Sequence, residues 1–275
     1  MSQQLIEHTV TSVSKFIEIV EQDDVLKWFR GAGNASHSLV PSLYRHPSCK
    51  DVAKLIEQEY EIIERFKQRS IPFVHRPTVF SDDWDYLFVM QHFGVPTRLL
   101  DWTESPFVAL YFALTSAKVS FVGGQPIYEN DACVWVLRPG AWNNTSLSNV
   151  GPPEGVFSSK DSELNAFKPK KDSVLKGTVP VAMYGLHNSE RIVAQRGAFV
   201  IFGNIMLGME ETFLEPNSKN GTYFPQEALI KINIPKENIP ELLNKLSFLG
   251  ITDSSIFPDL EGLAKEIKRA YKFNI

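Results

Sequence analysis

Apolar residues recur at three- and four-residue spacing through Leu5, Val10, Val13, Phe16, Ile17 and Val20, which predicts an amphipathic helix within residues 1–24. The next apolar run, VLKWF at 25–29, is short and stops at Arg30-Gly31, as a strand would. GAGNASHSLVPSLYR follows, rich in Gly, Ser, Asn and Pro, and reads as an irregular loop. Helical spacing returns at 50–69, with Val52, Leu55, Ile56, Tyr60, Ile63 and Phe66 on one face. A further helix is predicted over 82–93, with Ser81 or Asp82 as its cap and Gly94 as its stop. TRLLDW then reads as a strand, and Ser105-Pro106 opens a helix through Ala117 with proline in its first turn.

The second half is richer in strands. ACVWVL at 132–137 is a buried strand candidate, and 138–176 is polar enough to predict a surface excursion. VPVAMYG, RIVAQRG and AFVIFG predict three strands at short spacing, 204–224 a loop, and EALIKINIP a last strand. IPELLNKLSFLG and FPDLEGLAKEIKRAYK predict two amphipathic helices. The expected class is α+β, with central mixed or antiparallel sheets and helices at both ends. The expected organisation is one domain over 1–275: an N-terminal helix in 1–24, an α+β core in 25–234 and C-terminal helices in 235–275.

Composition narrows the partners. With 43% hydrophobic and 22% charged residues, the chain reads as globular and well outside the disordered regime. A net charge of −4 gives no overall field favouring anionic lipid or nucleic acid, although a local basic groove stays open. Cys49 and Cys133 lack metal-ligand spacing, so the expectation is a reduced, cytoplasmic setting and no metal. No run approaches the ~20 apolar residues of a membrane span, and no signal-peptide pattern opens the chain.

Candidate chemistry lies where polar groups interrupt apolar runs. Residues 87–114 place Gln91, His92, Thr97, Arg98, Asp101, Trp102 and Thr103 in an otherwise apolar stretch. Burying such groups unpaired costs several kcal/mol or so, so they form an internal network or line a site. In the bland alternative Arg98 pairs with Asp101 while His92 sits satisfied in the core. Arg30 at a strand end offers a planar fork for phosphate or carboxylate, and Gly31 permits close backbone approach; a plain salt bridge and turn would also account for both. Tyr111 and Phe112 fit core packing, yet an aromatic face there could stack a heterocycle. Gln195 and Gly197 interrupt a third apolar run, with Glu190 the nearest carboxylate. No phosphate-binding glycine loop, nucleophile elbow or HExxH occurs.

WFRGAGNASHSLVPSLYR, LFVMQHFGVPTRLLDWTESPFVALYFA, RIVAQRGAFVIF and the FPDLEGLAKEI tail resemble the FRG-domain proteins of bacteria and phages. The triplet behind that name is Phe29-Arg30-Gly31, and the resemblance runs from about Trp28 to Ile267. The order of elements also resembles the ADP-ribosyltransferase fold, which implies a split sheet and NAD as substrate. On that resemblance Arg30 holds the dinucleotide, Glu190 or Gln195 supplies the catalytic group, and Phe29, Gly31, Gln91, His92, Thr97, Arg98, Asp101, Trp102, Thr103 and Tyr111 bind the ligand. Neither Glu190 nor Gln195 sits in the Glu-x-Glu pattern of that fold. The implied role is an NAD-dependent transferase or glycohydrolase, a toxin or anti-phage effector with a macromolecular acceptor. The alternative is a non-catalytic module binding a nucleotide or a regulatory protein in the same pocket.

Overall fold

Local capping signals set most helix boundaries in the computed structural model, which describes residues 3–73, 80, 82–123, 125–147, 155–169, 179–185, 190–216 and 221–273. After β1 (Ile6–Thr9), the Ser12 hydroxyl accepts from the Lys15 amide and starts α1 (Val13–Val20). β2 (Trp28–Ala32) leads to α2 (Val52–Ser70), whose first amides donate to Asp51. Asp82 opens α3 (Asp83–His92) with a capping box closed by Asp85. β3 (Leu99–Thr103) then runs into α4 (Pro106–Thr115), capped by Ser105. There follow β4 (Val119–Val122), β5 (Gln125–Tyr128), β6 (Ala132–Leu137), α5 (Pro139–Ser146), β7 (Phe157–Ser158) and β8 (Val181–Tyr184). α6 (Glu190–Gln195), β9 (Gly197–Ile201), α7 (Met209–Leu214) and β10 (Leu229–Ile234) precede α8 (Ile239–Phe248), α9 (Asp253–Ile256) and α10 (Leu260–Ala270).

The chain is α+β. Eight strands form one mixed sheet in the order β1-β10-β6-β2-β3-β9-β8-β7, and β4 and β5 make a separate hairpin. Only the edge pairs β1–β10 and β7–β8 are parallel. Trp28, Trp102 and Trp135 belong to one buried cluster, while α4 and α8 supply Ala109, Leu110 and Leu242 to another. α4 lies so close to β2 that a Cβ on Gly31 would stand 2.0 Å from the Ala109 carbonyl oxygen. Glycine is therefore required there by helix–strand contact.

The centre of the sheet is open. β2 pairs along its whole length with β6, and β3 does the same with β9. Between β2 and β3, however, pairing among the described residues is confined to Phe29↔Thr103. The sheet thus parts into two four-stranded halves along the line where the Phe-Arg-Gly triplet lies.

Several expectations are corrected. The stretch 5–20 is not one helix, because Ile6–Thr9 pairs with β10 and helix begins only after the Ser12 cap. RIVAQRG is not a strand: it forms α6, which ends as Arg196 turns to a φ of 46° and the chain enters β9. The 138–176 segment is not simply surface, since α5 buries Trp142 and Asn143. The Asn143 amide exchanges two hydrogen bonds, 2.9 and 2.8 Å, with the backbone of Ala182 and so docks α5 as another strand would. Residues 148–154 and 170–176 of that segment, and the cap candidate Ser81, lie outside the described residues. The 204–224 loop contains α7, with Met209 and Phe213 in the core.

Candidate functional site

The opening between β2 and β3 is where functional side chains gather. Arg30 faces Trp135 of β6 across one ladder, but on its other side β3 has drawn away. Its Nη1 donates to the Asp101 carbonyl at 2.6 Å, replacing the ladder bond that the divergence removes. Among the described residues this is the sole hydrogen bond of the guanidinium, so Nε and Nη2 remain available.

Asp101 is the exposed member of a strand otherwise buried, and its exposure is toward a recess of about 340 Å³. Pockets of this size hold small ligands. Gln91 Nε2 donates to Asp101 Oδ2 at 2.7 Å, and the Thr97 hydroxyl holds Gln91 Oε1 at 2.6 Å. Asp101 Oδ1 has no partner among the described residues. Although it opens on the recess, the Asp101 carboxyl is surrounded by enough protein that desolvation raises its proton affinity above its ordinary value; the charge of Arg30 and the Gln91 hydrogen bond oppose the shift without cancelling it.

α6 closes the opposite wall with Arg191, Ile192 and Gln195. The Arg191 guanidinium stacks 4.7 Å from the Phe257 ring, and Gln195 Nε2 donates to the Ile256 carbonyl at 3.3 Å, so α6 is fastened to α9. His92 also lines the recess, and burial, assisted by the charge of Arg191, pushes its proton affinity down. The remaining wall is aromatic: Phe29, Phe88, Phe112 and Phe199. Two guanidinium groups and one carboxylate around apolar rings suit a flat, anionic ligand with hydroxyls.

The Phe-Arg-Gly triplet thus has a distinct task at each position. Phe29 is buried under α4, Arg30 spans the opening, and Gly31 lets α4 approach. The FRG domain family model matches residues 26–120, a span that includes the triplet, Gln91, Asp101 and Phe112. The chain carries an FRG domain. That domain supplies β2, β3, α3 and α4 of the recess, while Arg191 and Gln195 come from beyond the matched residues. No curated protein and no solved structure matches the chain.

Of the residues singled out in the sequence, Phe29, Arg30, Gly31, Gln91, His92, Asp101, Trp102, Thr103 and Gln195 line this one recess. Thr97 does not reach it, but acts on Asp101 through Gln91. Arg98 is elsewhere, fully buried against Glu59 at 2.7 Å, with Nη1 and Nη2 donating to the carbonyls of Phe202 and Phe167. Arg98 therefore pairs with neither ligand nor Asp101. Tyr111 is also a core residue, its hydroxyl donating to Asp253 at 2.6 Å and leaving no face for a heterocycle. Glu190 is exposed at the start of α6 and does not line the recess. Sequence reasoning passed over Arg191, because a strand reading of RIVAQRG does not put it beside Gln195. In a helix, 191 and 195 are one turn apart and share a face. Among the described residues no cluster of His, Cys, Asp and Glu could hold a metal, and no helix is long and apolar enough to cross a membrane.

Proposed function

We propose that the recess binds NAD and breaks its nicotinamide–ribose bond, with Asp101, not Glu190 or Gln195, as the catalytic group. One arrangement carries this reading: among the described residues, a carboxylate oxygen with no side-chain partner stands beside an arginine whose Nε and Nη2 make no hydrogen bond. Arg30 holds a diphosphate oxygen with its remaining donors, and Arg191 balances the second negative charge. The bond between the ribose anomeric carbon and the nicotinamide nitrogen breaks, its electron pair leaving with the ring. Positive charge develops on the sugar, and ionised Asp101 stabilises it. The acceptor oxygen then bonds to the anomeric carbon, and its proton passes to Asp101. Water as acceptor makes the reaction a hydrolysis; a macromolecular hydroxyl makes it ADP-ribosyl transfer, the chemistry of a toxin or anti-phage effector. The opened sheet supports this reading, since it resembles the split sheet expected of such a fold. Both thiols are free, which fits a reducing cytoplasm.

The test is release of nicotinamide from NAD by the intact chain, with Asp101→Asn and Arg30→Ala beside it. Asp101→Asn should lower turnover on the order of a hundredfold or more while its thermal midpoint stays level or rises. A folded-state carboxyl of raised proton affinity opposes folding near neutral pH, so neutralising it removes a cost. NAD binding without nicotinamide release, across water, protein and nucleic-acid acceptors, would leave a non-catalytic nucleotide-binding module. Absence of binding would end both readings.

A further inference from the structure

Helix α10 is turned inside out. At about 100° per residue, Leu260, Leu263, Ala264, Ile267, Ala270 and Tyr271 fall on one arc, and all six are exposed. Leu260 is 83% and Tyr271 75% accessible. The polar arc is the one that docks. A Cβ on Gly262 would stand 2.0 Å from the Phe257 carbonyl oxygen, so this glycine lets α10 lie on the chain that follows α9. Arg269 pairs with Asp253 at 2.9 Å, and Glu266 accepts from the Ser254 amide at 3.0 Å. The helix is therefore anchored by ions and hydrogen bonds while its apolar face meets water. Such a continuous apolar face marks an interaction site.

The charges beside the arc indicate the occupant. On one flank lie Glu261 and Lys265, already paired with each other at 2.7 Å, then Lys268; Lys272 follows just past the helix end, where the chain turns to a φ of 59°, and neither of these two lysines has an ion-pair partner among the described residues. We propose that this face receives an amphipathic helix of a protein partner, apolar at i, i+3, i+4 and i+7 and bearing carboxylates along the edge that meets Lys268 and Lys272. A second copy of the chain would bring no free carboxylate to that edge, because its Glu261 is paired with Lys265 and its Glu266 accepts from Ser254. An anionic membrane is disfavoured by the net charge of −4 and by having two free lysines where lipid-binding segments gather about four or more. This inference is independent of the NAD reading.

The experiment uses the full chain and two fluorescent synthetic helices with one leucine stripe, flanked in one by glutamate and in the other by lysine. The glutamate peptide should bind roughly tenfold tighter. Ile267→Asp should abolish binding of both at unchanged thermal midpoint, since the side chain is already exposed. The double variant K268E/K272E should reverse the preference. Equal affinity for the two peptides, or binding that Ile267→Asp leaves intact, would overturn the proposal. So would sedimentation showing a dimer that Ile267→Asp converts to monomer, or flotation of the chain with phosphatidylserine vesicles that Ile267→Asp prevents.

Discussion

Arg30 and Arg98 are one residue type with opposite employment, and their surroundings say why. Arg98 commits each of its three guanidinium nitrogens, to Glu59 and two carbonyls, with no accessible surface, so it ties α2, the chain after β9 and the chain near Phe167 together. Arg30 spends one donor and keeps the rest toward an open recess. Arg98→Ala should leave Glu59 buried and uncompensated, costing about 3–5 kcal/mol, read as a lower urea midpoint at unchanged slope. Replacing both partners with apolar residues of similar volume should restore most of that loss. The same distinction explains what the sequence could tell. Polar residues crowding an apolar run correctly indicated a network or a site, but nothing in the spacing of Arg98 and Asp101 reveals which of them turns inward, because their partners Glu59 and Gln91 are set by packing.

The short elements behind the recess are joined by one buried carboxylate. Asp253 of α9 accepts from Tyr111 of α4 and pairs with Arg269 of α10, so three helices meet at a single side chain. Burial pushes the Asp253 proton affinity up, but the hydrogen bonds from Arg269 and Tyr111 outweigh it and the net shift is downward. A carboxylate depressed in the folded state stabilises above its unfolded value and loses that contribution as pH falls through the folded one. The thermal midpoint should therefore drop as pH falls below about 4, and Asp253→Asn should flatten that part of the profile. Helices with strong caps were legible in advance: Asp82, Ser105 and Pro106 mark α3 and α4 within a residue or two. α6 was not legible, since six residues with three consecutive apolar positions fit either period, and the Arg196 turn decides it. β1 was lost to a helical pattern for the related reason that strand pairing with β10 overrides local spacing.

Across the whole molecule, the α+β class and the convergence of the Phe-Arg-Gly, Asp-Trp-Thr and Gln-Arg-Gly segments were readable from the chain. A split sheet was implied only by the resemblance, and residue spacing did not show where β2 and β3 part, because that depends on how far two strands separated by 66 intervening residues stay in register. One side chain links that recess to the far helix. Phe257 has the Arg191 guanidinium 4.7 Å and the Lys265 ammonium 5.2 Å from its ring centroid. A ring that two cations contact is a place where movement of one can be felt by the other. If filling the recess moves Arg191, the acidic-peptide affinity of α10 changes by some factor, and thermodynamics requires the peptide to alter nucleotide affinity by that same factor. Titrating each ligand with and without the other, in wild type and in Phe257→Leu, would measure the coupling and show it vanish when the ring is removed.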